Sequence, residues 1–217
     1  MHNVDTKRAV ILITVCGILA AAISDVWNSF HTAPAKAIQA RRIAVEQKTA
    51  DLAAYTAKYV SSAPSRKSDV KLIAVAVLSP DGQLTPALNG VLTDRFQTDS
   101  AKTLCSFFRP AFVADGLFAN ALTKPTEVFE TLGLAKSVNA VLLGRQTVQY
   151  STDPSMENVM TANMRFELTA VSLADGQSRS WNFVANGSGF KQNEARAMAE
   201  ERLIKQMSKD NTLSFTP

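Results

Sequence analysis

The alternation of apolar and polar residues divides the chain into an amino-terminal apolar run, a polar connector and a longer region with a strand–helix rhythm. Lys7 and Arg8 precede the apolar run at residues 9–23, and no second run of this kind follows. A basic flank before an apolar segment is typical of export signals, whose positive end stays in the cytoplasm. We therefore expect the rest of the chain to lie outside the cytoplasmic membrane of a bacterium.

Two interpretations of residues 1–30 stay open, a signal anchor and a signal peptide. The run at 9–23 is short for a membrane span, which needs about 20 residues, yet long for the core of a cleaved signal peptide. As a signal peptide it would be cut after residues 20–22 or 33–35, which both read Ala-x-Ala. As a single-pass inner-membrane anchor it would leave 33–217 in the periplasm. The membrane segment would then contain Ala9, Ile13, Leu19 and Ile23, with Trp27 at the interface.

Residues 31–60 predict a stalk helix, because they are rich in Ala, Lys, Gln and Glu, and Pro34 suits a helix start. A single apolar line recurs every seven positions, at Ile38, Val45, Leu52 and Tyr59. A coiled coil needs two such lines. The pattern therefore favours a weakly packing stalk, with coiled-coil dimerisation as the alternative. The Ser-, Pro- and charge-rich stretch 61–69 predicts a linker.

Residues 70–209 predict an α/β (α+β) domain with a mixed β-sheet and packed helices, followed by a tail at 210–217. The first strand is almost wholly apolar, as in a strand covered on both faces. The fourth alternates, as in a sheet with one exposed face, and Asp175-Gly176 after it predicts a hairpin turn. The predicted strands are 70–78, a strand within 103–114 that Pro110 interrupts or borders, 140–150, 161–173 and 178–184. The predicted helices are 86–97, 117–122, 126–136 and 192–209.

Composition argues against several classes of function. The net charge is +4 with scattered Lys and Arg, which predicts an ordinary soluble surface and no nucleic-acid partner. The two cysteines, Cys16 and Cys105, show neither a metal-binding spacing nor a disulfide framework. Lipid attachment at Cys16 is disfavoured, because Val15 is large where a small residue is needed and the apolar run continues past the cysteine.

No motif of catalytic or cofactor-binding residues stands out. Both histidines, His2 and His31, precede the domain, which excludes a Ser-His-Asp triad or a histidine–zinc site within it. No phosphate-binding glycine motif occurs, and Asn-Gly-Ser-Gly at 186–189 is interpreted as a turn. The carboxylates are isolated in sequence, among them Asp94, Asp99, Asp115 and Glu130. We expect no catalytic residue, cofactor or metal, although a carboxylate pair formed in a cleft by folding would favour an enzyme.

Aromatic residues are the better candidates for a binding function. Phe107 and Phe108 are adjacent on a predicted strand, so they cannot both face the same side of a sheet. One of them is therefore a candidate contact residue. The predicted partner-binding residues are Phe107, Phe108, Arg109 and Trp181, with burial in the core as the alternative for the aromatic ones.

The order of four segments carries a family resemblance: 71–82 (KLIAVAVLSPDG), 88–96 (LNGVLTDRF), 133–151 (GLAKSVNAVLLGRQTVQYS) and 165–177 (RFELTAVSLADGQ). The chain resembles the periplasmic α/β domain superfamily of the curli-secretion channel subunit, penicillin-binding-protein activator lipoproteins and flagellar assembly lipoproteins. Val-Asn-Ala at 138–140 replaces the Gly-Ala-Asp of these families, and Gly144 is kept. Ala-Asp-Gly-Gln at 174–177 replaces their Thr-Gly-Glu turn.

The resemblance implies a partner-binding domain held near the inner membrane or released to the periplasm. The connection at 151–160 is too short for a membrane-spanning hairpin, which needs about 20 residues. We expect a non-enzymatic adaptor or assembly protein that binds an envelope protein in a secretion, pilus, flagellar or cell-wall machine, with its oligomeric state open. One alternative is an activator of peptidoglycan synthesis, with contacts from Arg109 or 151–160. A second is a periplasmic enzyme or small-ligand-binding protein.

Overall fold

The computed structural model describes residues 33–61, 70–152 and 159–215, with side chains described from residue 38 onward. The predicted membrane segment, most of the linker and the centre of the 151–160 connection lie outside the described residues. Within the described ranges, no helix is both long enough and apolar enough to cross a membrane. These residues form two units, which divide within the first helix after Ala53.

The helix predicted for the stalk is present as α1, Ala33–Tyr59. In the first unit, Ile38, Val45 and Leu52 are all exposed, as expected of a helix that packs weakly. Arg42 and Glu46, one turn apart, form an ion pair of 2.9 Å on its surface. Dimerisation through this helix stays a prediction.

The second unit is built on a five-stranded mixed sheet with the order β2-β1-β3-β4-β5, which confirms the predicted class. Strands β2, β1 and β3 run parallel to one another, because helices connect them. The last three strands form an antiparallel meander joined by short connections. The strands are β1 Lys71–Leu78, β2 Ala101–Leu104, β3 Ala140–Thr152, β4 Met160–Ser172 and β5 Ser178–Gly189.

Helices cover the two faces of this sheet unequally. One core contains α2 (Asn89–Phe96) and α6 (Gln192–Lys209), which pack against side chains from along the sheet, including Phe166 and Trp181. The opposite core is shorter and covers β1 and the first part of β3. Its helices are α3 Ala111–Ala114, α4 Leu117–Thr123, α5 Pro125–Thr131 and a 3₁₀ turn at Leu134–Lys136. The far ends of β3, β4 and β5 therefore have one face that no helix of the described residues covers.

The end of α1 belongs to this second unit. Tyr59 and Val60 are buried in the shorter core. The backbone N–H of Ser61 donates to the carbonyl of Phe107 at 2.8 Å, and the N–H of Arg109 donates to the carbonyl of Tyr59 at 2.8 Å. These bonds join the residues after the stalk to the segment before α3.

The strand predicted within 103–114 is shorter than the apolar run and ends well before Pro110. The strand ends at Leu104, and α3 begins at Ala111. Pro110 has φ −54° and occupies the cap position of α3. The proline ring fixes φ at a value typical of a helix. Proline also has no backbone N–H, and the first N–H groups of a helix have no partner within the helix. The proline therefore begins a helix where the apolar pattern alone predicts an extended strand.

The predicted turn at 186–189 is also wrong, because these residues continue β5. Gly187 and Gly189 lie directly beneath α6. A β carbon at Gly187 would lie 2.9 Å from the Cα of Ala199 and closer still to the carbonyl oxygen of Ala195. Glycine serves here to bring helix and strand into close contact, not to turn the chain.

Candidate interaction surface

The uncovered part of the sheet forms a polar surface, which we call the open face. The strict register β3–β4–β5 places its side chains in cross-strand rows, one of which is Thr147, Arg165 and Val184. Odd positions of β3 and β4 and even positions of β5 point to this face, because side chains alternate along a strand. The open face consists of Arg145, Thr147, Gln149, Asn163, Arg165, Glu167, Ser180, Asn182, Val184, Asn186 and Ser188.

Charge on the open face is concentrated on the two inner strands. Arg145 and Glu167 are cross-strand partners and form an ion pair of 2.7 Å with half-exposed side chains. Arg165 is exposed on the central strand of the meander and has no hydrogen bond or ion pair within the described ranges. Among the described residues it is therefore a cation without a charge partner, at the centre of a surface of hydroxyl and amide groups. Such a group can bind a carboxylate through two parallel hydrogen bonds.

The outer boundary of the open face is the edge strand β5, which pairs only with β4 among the described strands. Val184 is 45% exposed and is the apolar member of the β5 residues on this face. Arg202 of α6 reaches this edge and donates to the backbone carbonyl of Asn186 at 2.7 Å. The close packing of α6 on Gly187 allows this reach.

The predicted aromatic contact residues lie in the cores instead. Phe107 and Phe108 are 2% and 6% exposed and contact each other edge to face at 5.1 Å. They follow the turn at Cys105 and Ser106 and lie outside the named strands, so both side chains can enter one core, and the predicted exposure of one of them is wrong. Trp181 is 8% exposed, and its indole N–H donates to the carbonyl of Thr212 at 2.9 Å. These rings are therefore not surface contacts.

Arg109, the fourth predicted contact residue, is exposed. It lies close in sequence to a second charged cluster, formed by Lys58, Tyr59 and Asp115. The Lys58 ammonium lies 2.6 Å from the Asp115 carboxylate, and the Tyr59 hydroxyl lies 3.2 Å from the same oxygen. The hydrogen bond from Lys58 holds the pKa of Asp115 below its usual value. The same bond raises the pKa of Lys58. This cluster ties the end of α1 to α3.

A cleft of about 600 Å³ lies between α5 and the β4–β5 turn. Its floor includes the buried residues Phe129 and Val171, and Glu130, Lys136 and Asp175 lie at its exposed rim. Hydrogen bonds from the Ser172 hydroxyl and the N–H of Gln177 lower the pKa of Asp175, so this carboxyl is ionised at neutral pH. Folding thus brings two carboxylates that are isolated in sequence to one cleft.

The described residues include no group of three or more His, Cys, Asp or Glu side chains that could hold a metal ion. Cys105 is half-buried and unpaired, with its sulfur 3.7 Å from the hydroxyl of Thr93.

Comparisons with known proteins give weak similarities. No family model and no curated protein matches the chain. A hypothetical protein of Chlamydia trachomatis is 9% identical, over 64% of this chain and 93% of its own, with a TM-score of 0.36. Lipoprotein GNA1162 of Neisseria meningitidis is 15% identical over 65% and 99%, with a TM-score of 0.34. A PelC dodecamer of Paraburkholderia phytofirmans is 13% identical over 68% and 92%, with a TM-score of 0.28.

Two of these solved structures are thus a bacterial lipoprotein and a bacterial oligomer, but similarities at this level carry no argument about this chain. The resemblance to the periplasmic superfamily stays a prediction.

Sequence reasoning missed Arg165 and Val184, although one signal for them was present. Side chains alternate along a strand. Because Trp181 and Phe183 point into the core, Ser180, Asn182 and Val184 point to the other side of β5. This alternation does not show whether helices cover that side of the sheet. The position of α3 to α5 on the sheet decides this.

Proposed function

We propose that this chain is a non-enzymatic adaptor or assembly protein of the bacterial envelope, held in the inner membrane with its mixed α/β domain in the periplasm. Its open face binds the partner protein. The observation that carries the proposal is Arg165, an exposed cation that has no charge partner in the described part of the chain and lies at the centre of a broad surface of hydrogen-bonding side chains. Arginine is enriched at the energetic centres of protein interfaces.

The chemistry of the open face favours a partner with a carboxylate-bearing surface. The guanidinium of Arg165 can hold a carboxylate bidentately, and the amides of Gln149 and Asn163 supply donors and acceptors around it. Arg145 is already paired with Glu167. Among the described residues, Arg165 is therefore the arginine of the open face that is left to bind the partner protein.

Site-specific photocrosslinking in cells tests this proposal. A photoreactive residue at Asn163, beside Arg165, should form a discrete protein adduct, and one at Ala197 on the exposed side of α6 should not. Arg165→Glu should abolish the adduct without changing the amount of protein, because this side chain is exposed. Equal adducts from both positions, or an adduct that survives Arg165→Glu, would exclude the open face as the binding site.

The membrane topology has a separate test. A carboxy-terminal alkaline phosphatase fusion should be active, because this reporter needs an oxidising compartment. Replacing Lys7 and Arg8 with Glu should impair or invert insertion. An inactive but stably expressed fusion would refute the periplasmic assignment and the partner class built on it.

A more specific form of the proposal is activation of peptidoglycan synthesis, which calls for an accessible Arg109. The side chain of Arg109 is exposed. Addition of the purified protein to a glycan-polymerisation assay should then raise the rate of the synthase, and Arg109→Ala should remove the increase. An unchanged rate with every available synthase would exclude this form and leave the adaptor proposal standing.

The cleft supports a second candidate function, the binding of a small ligand with an amine and an apolar group. Glu130 and Asp175 supply negative charge, Phe129 supplies an apolar floor, and a volume of about 600 Å³ is ordinary for such sites. Phenethylamine is a suitable probe, because it has one ammonium group and one ring. Binding seen by NMR shifts of cleft residues, and lost in Asp175→Asn, would support this function. Unshifted cleft resonances at millimolar probe would exclude it for this class of ligand.

A further inference from the structure

From residue 180 to residue 188, the side chains that β5 presents on the open face have the same order in both directions. They are Ser180, Asn182, Val184, Asn186 and Ser188, so this part of the strand is symmetric about Val184, and Ser178 precedes it. The side chains on the core face are complementary about the same point, because the large Trp181 and Phe183 precede it and the small Ala185 and Gly187 follow it. A contact between two identical surfaces related by a two-fold axis requires this kind of self-complementarity.

Among the described residues, most of the free edge of β5 lacks the usual protection against pairing; the carboxy-terminal segment approaches its start, where Arg179 donates to the carbonyl of Ser214 at 3.0 Å. Twelve consecutive residue pairs join β4 and β5 without a bulge, and β5 contains no proline and one charged residue, Arg179. Natural edge strands are normally short, charged, bulged or covered. The opposite edge strand β2 is short, at four residues.

The backbone of β5 is oriented for pairing at this edge. Arg202 lies on α6, outside the strand ladder, and donates to the carbonyl of Asn186, so this carbonyl points away from β4. Backbone groups alternate between the two edges of a strand. The residues whose N–H and C=O groups point to the free edge are therefore Ser180, Asn182, Val184, Asn186 and Ser188, the same five that form the symmetric pattern.

We propose that β5 pairs antiparallel with β5 of a second copy of this chain, about a two-fold axis through Val184. Val184 then lies opposite its own copy, Asn182 opposite Asn186, and Ser180 opposite Ser188. The pairing makes about ten backbone hydrogen bonds and joins the two sheets into one of ten strands. On the core face, Phe183 lies opposite Ala185 and Trp181 opposite Gly187. Arg179 lies opposite Gly189, so no like charges face each other.

Two further side chains fit this arrangement. Met198 is exposed and precedes Arg202 by one helical turn, so it lies on the side of α6 that faces the edge. Across the axis it would face α6 of the second copy. Arg202 itself competes with pairing, because the N–H of Asn182 from the second copy needs the carbonyl that Arg202 now holds. Arg202 therefore weakens self-association, and a variant at this position can measure by how much.

The test uses the purified full-length chain, with its dimer dissociation constant measured by analytical ultracentrifugation. Val184→Lys places two ammonium groups opposite each other at the axis, each also beside Arg165 of its own copy, and Thr147→Lys makes the same change in the same row on an inner strand. We expect Val184→Lys to weaken the dimer by about tenfold and Thr147→Lys to leave it unchanged. Arg202→Gln should strengthen it by about tenfold, because a charged competitor for one carbonyl is removed.

Crosslinking gives an independent readout that does not depend on the stability of a charged variant. With Cys16 and Cys105 replaced by Ser, Val184→Cys should link two copies through a short thiol-reactive linker, and Thr147→Cys should not. The proposal is overturned if Val184→Lys associates as the natural chain does, which would indicate the stalk or another surface. It is also overturned if the chain and Arg202→Gln both stay monomeric at about 100 µM, or if Val184→Cys and Thr147→Cys link two copies equally well.

Discussion

The contact of α6 with β5 provides a stringent test of how this domain is packed. Gly187 lies where backbone atoms of α6 approach the strand, and a β carbon there would overlap the backbone N of Ala199 and the carbonyl O of Ala195. It would also lie 2.9 Å from the Cα of Ala199. Ordinary carbon–carbon contacts are about 3.5–4.0 Å, so Gly187→Ala can be accommodated only if α6 moves off the sheet. The atoms in the way belong to backbone, which cannot rotate aside as a flexible side chain can.

The size of the effect follows from the core that α6 closes. Ala195, Ala199, Leu203 and Met207 are fully buried against the sheet, and lifting the helix loosens all four contacts. Overpacking usually costs about 1–3 kcal/mol. Because backbone must move, we expect Gly187→Ala to lower the free energy of unfolding by about 3 kcal/mol, which lowers the Tm by about 6–12 °C for a domain of this size.

Urea and thermal denaturation followed by circular dichroism measure this loss. Gly90→Ala is the matched control, because a β carbon there meets no atom within 4 Å and Gly90 lies within α2. The control should stabilise the protein by about 0.5–1 kcal/mol, as alanine is the better helix former. If Gly187→Ala is as stable as the natural chain, the close approach of α6 to β5 is wrong, and with it the reach of Arg202 to the edge.

Three further outcomes test other parts of the second unit. Gln146 is 3% exposed and its Nε2 has no partner among the described residues, so Gln146→Met should raise the free energy of unfolding by about 1 kcal/mol in urea titrations. Phe112 is fully buried and stacks on Phe108 at 4.3 Å, so Phe112→Ala should cost about 3–5 kcal/mol in the same assay, and a loss below about 1 kcal/mol would contradict the described core. Asp115→Asn should lower the Tm at pH 7, because the lowered pKa of Asp115 stabilises the folded state above its ordinary value near pH 4. This contribution is lost as the pH falls through the lowered pKa, so the Tm values of Asp115→Asn and the natural chain should converge in acid.

Elements with a strong local pattern were predicted with nearly correct bounds. The helix predicted at 192–209 is α6, because Ala195, Ala199, Leu203 and Met207 recur at helical spacing and all four are buried. The first strand was equally clear, because every residue after Lys71 is apolar and β1 is covered on both faces. In these elements, the apolar residues that give the local periodicity are also the residues that the fold buries.

The errors occurred where two local signals conflict. Around Pro110, a run of aromatic and apolar residues suggests a strand, but the proline begins a helix and the preceding turn sends Phe107 and Phe108 into one core. At 186–189 the glycines suggest a turn, but they make room for α6 within a continuing strand. The role of a glycine in a strand depends on which element packs against it, and the local sequence does not contain this information.

The sequence by itself determined the mixed α/β class, the order of the elements and the separation of an apolar amino-terminal segment from a folded region, because these follow from periodicity and composition. Only the tertiary structure decided that three short helices cover one part of the sheet and leave the rest as the open face. It also decided that, among the residues the structure describes, Arg165 lies there without a charge partner and β5 is an edge strand. These properties depend on which surfaces meet across long stretches of chain, and no local pattern of residues records such contacts.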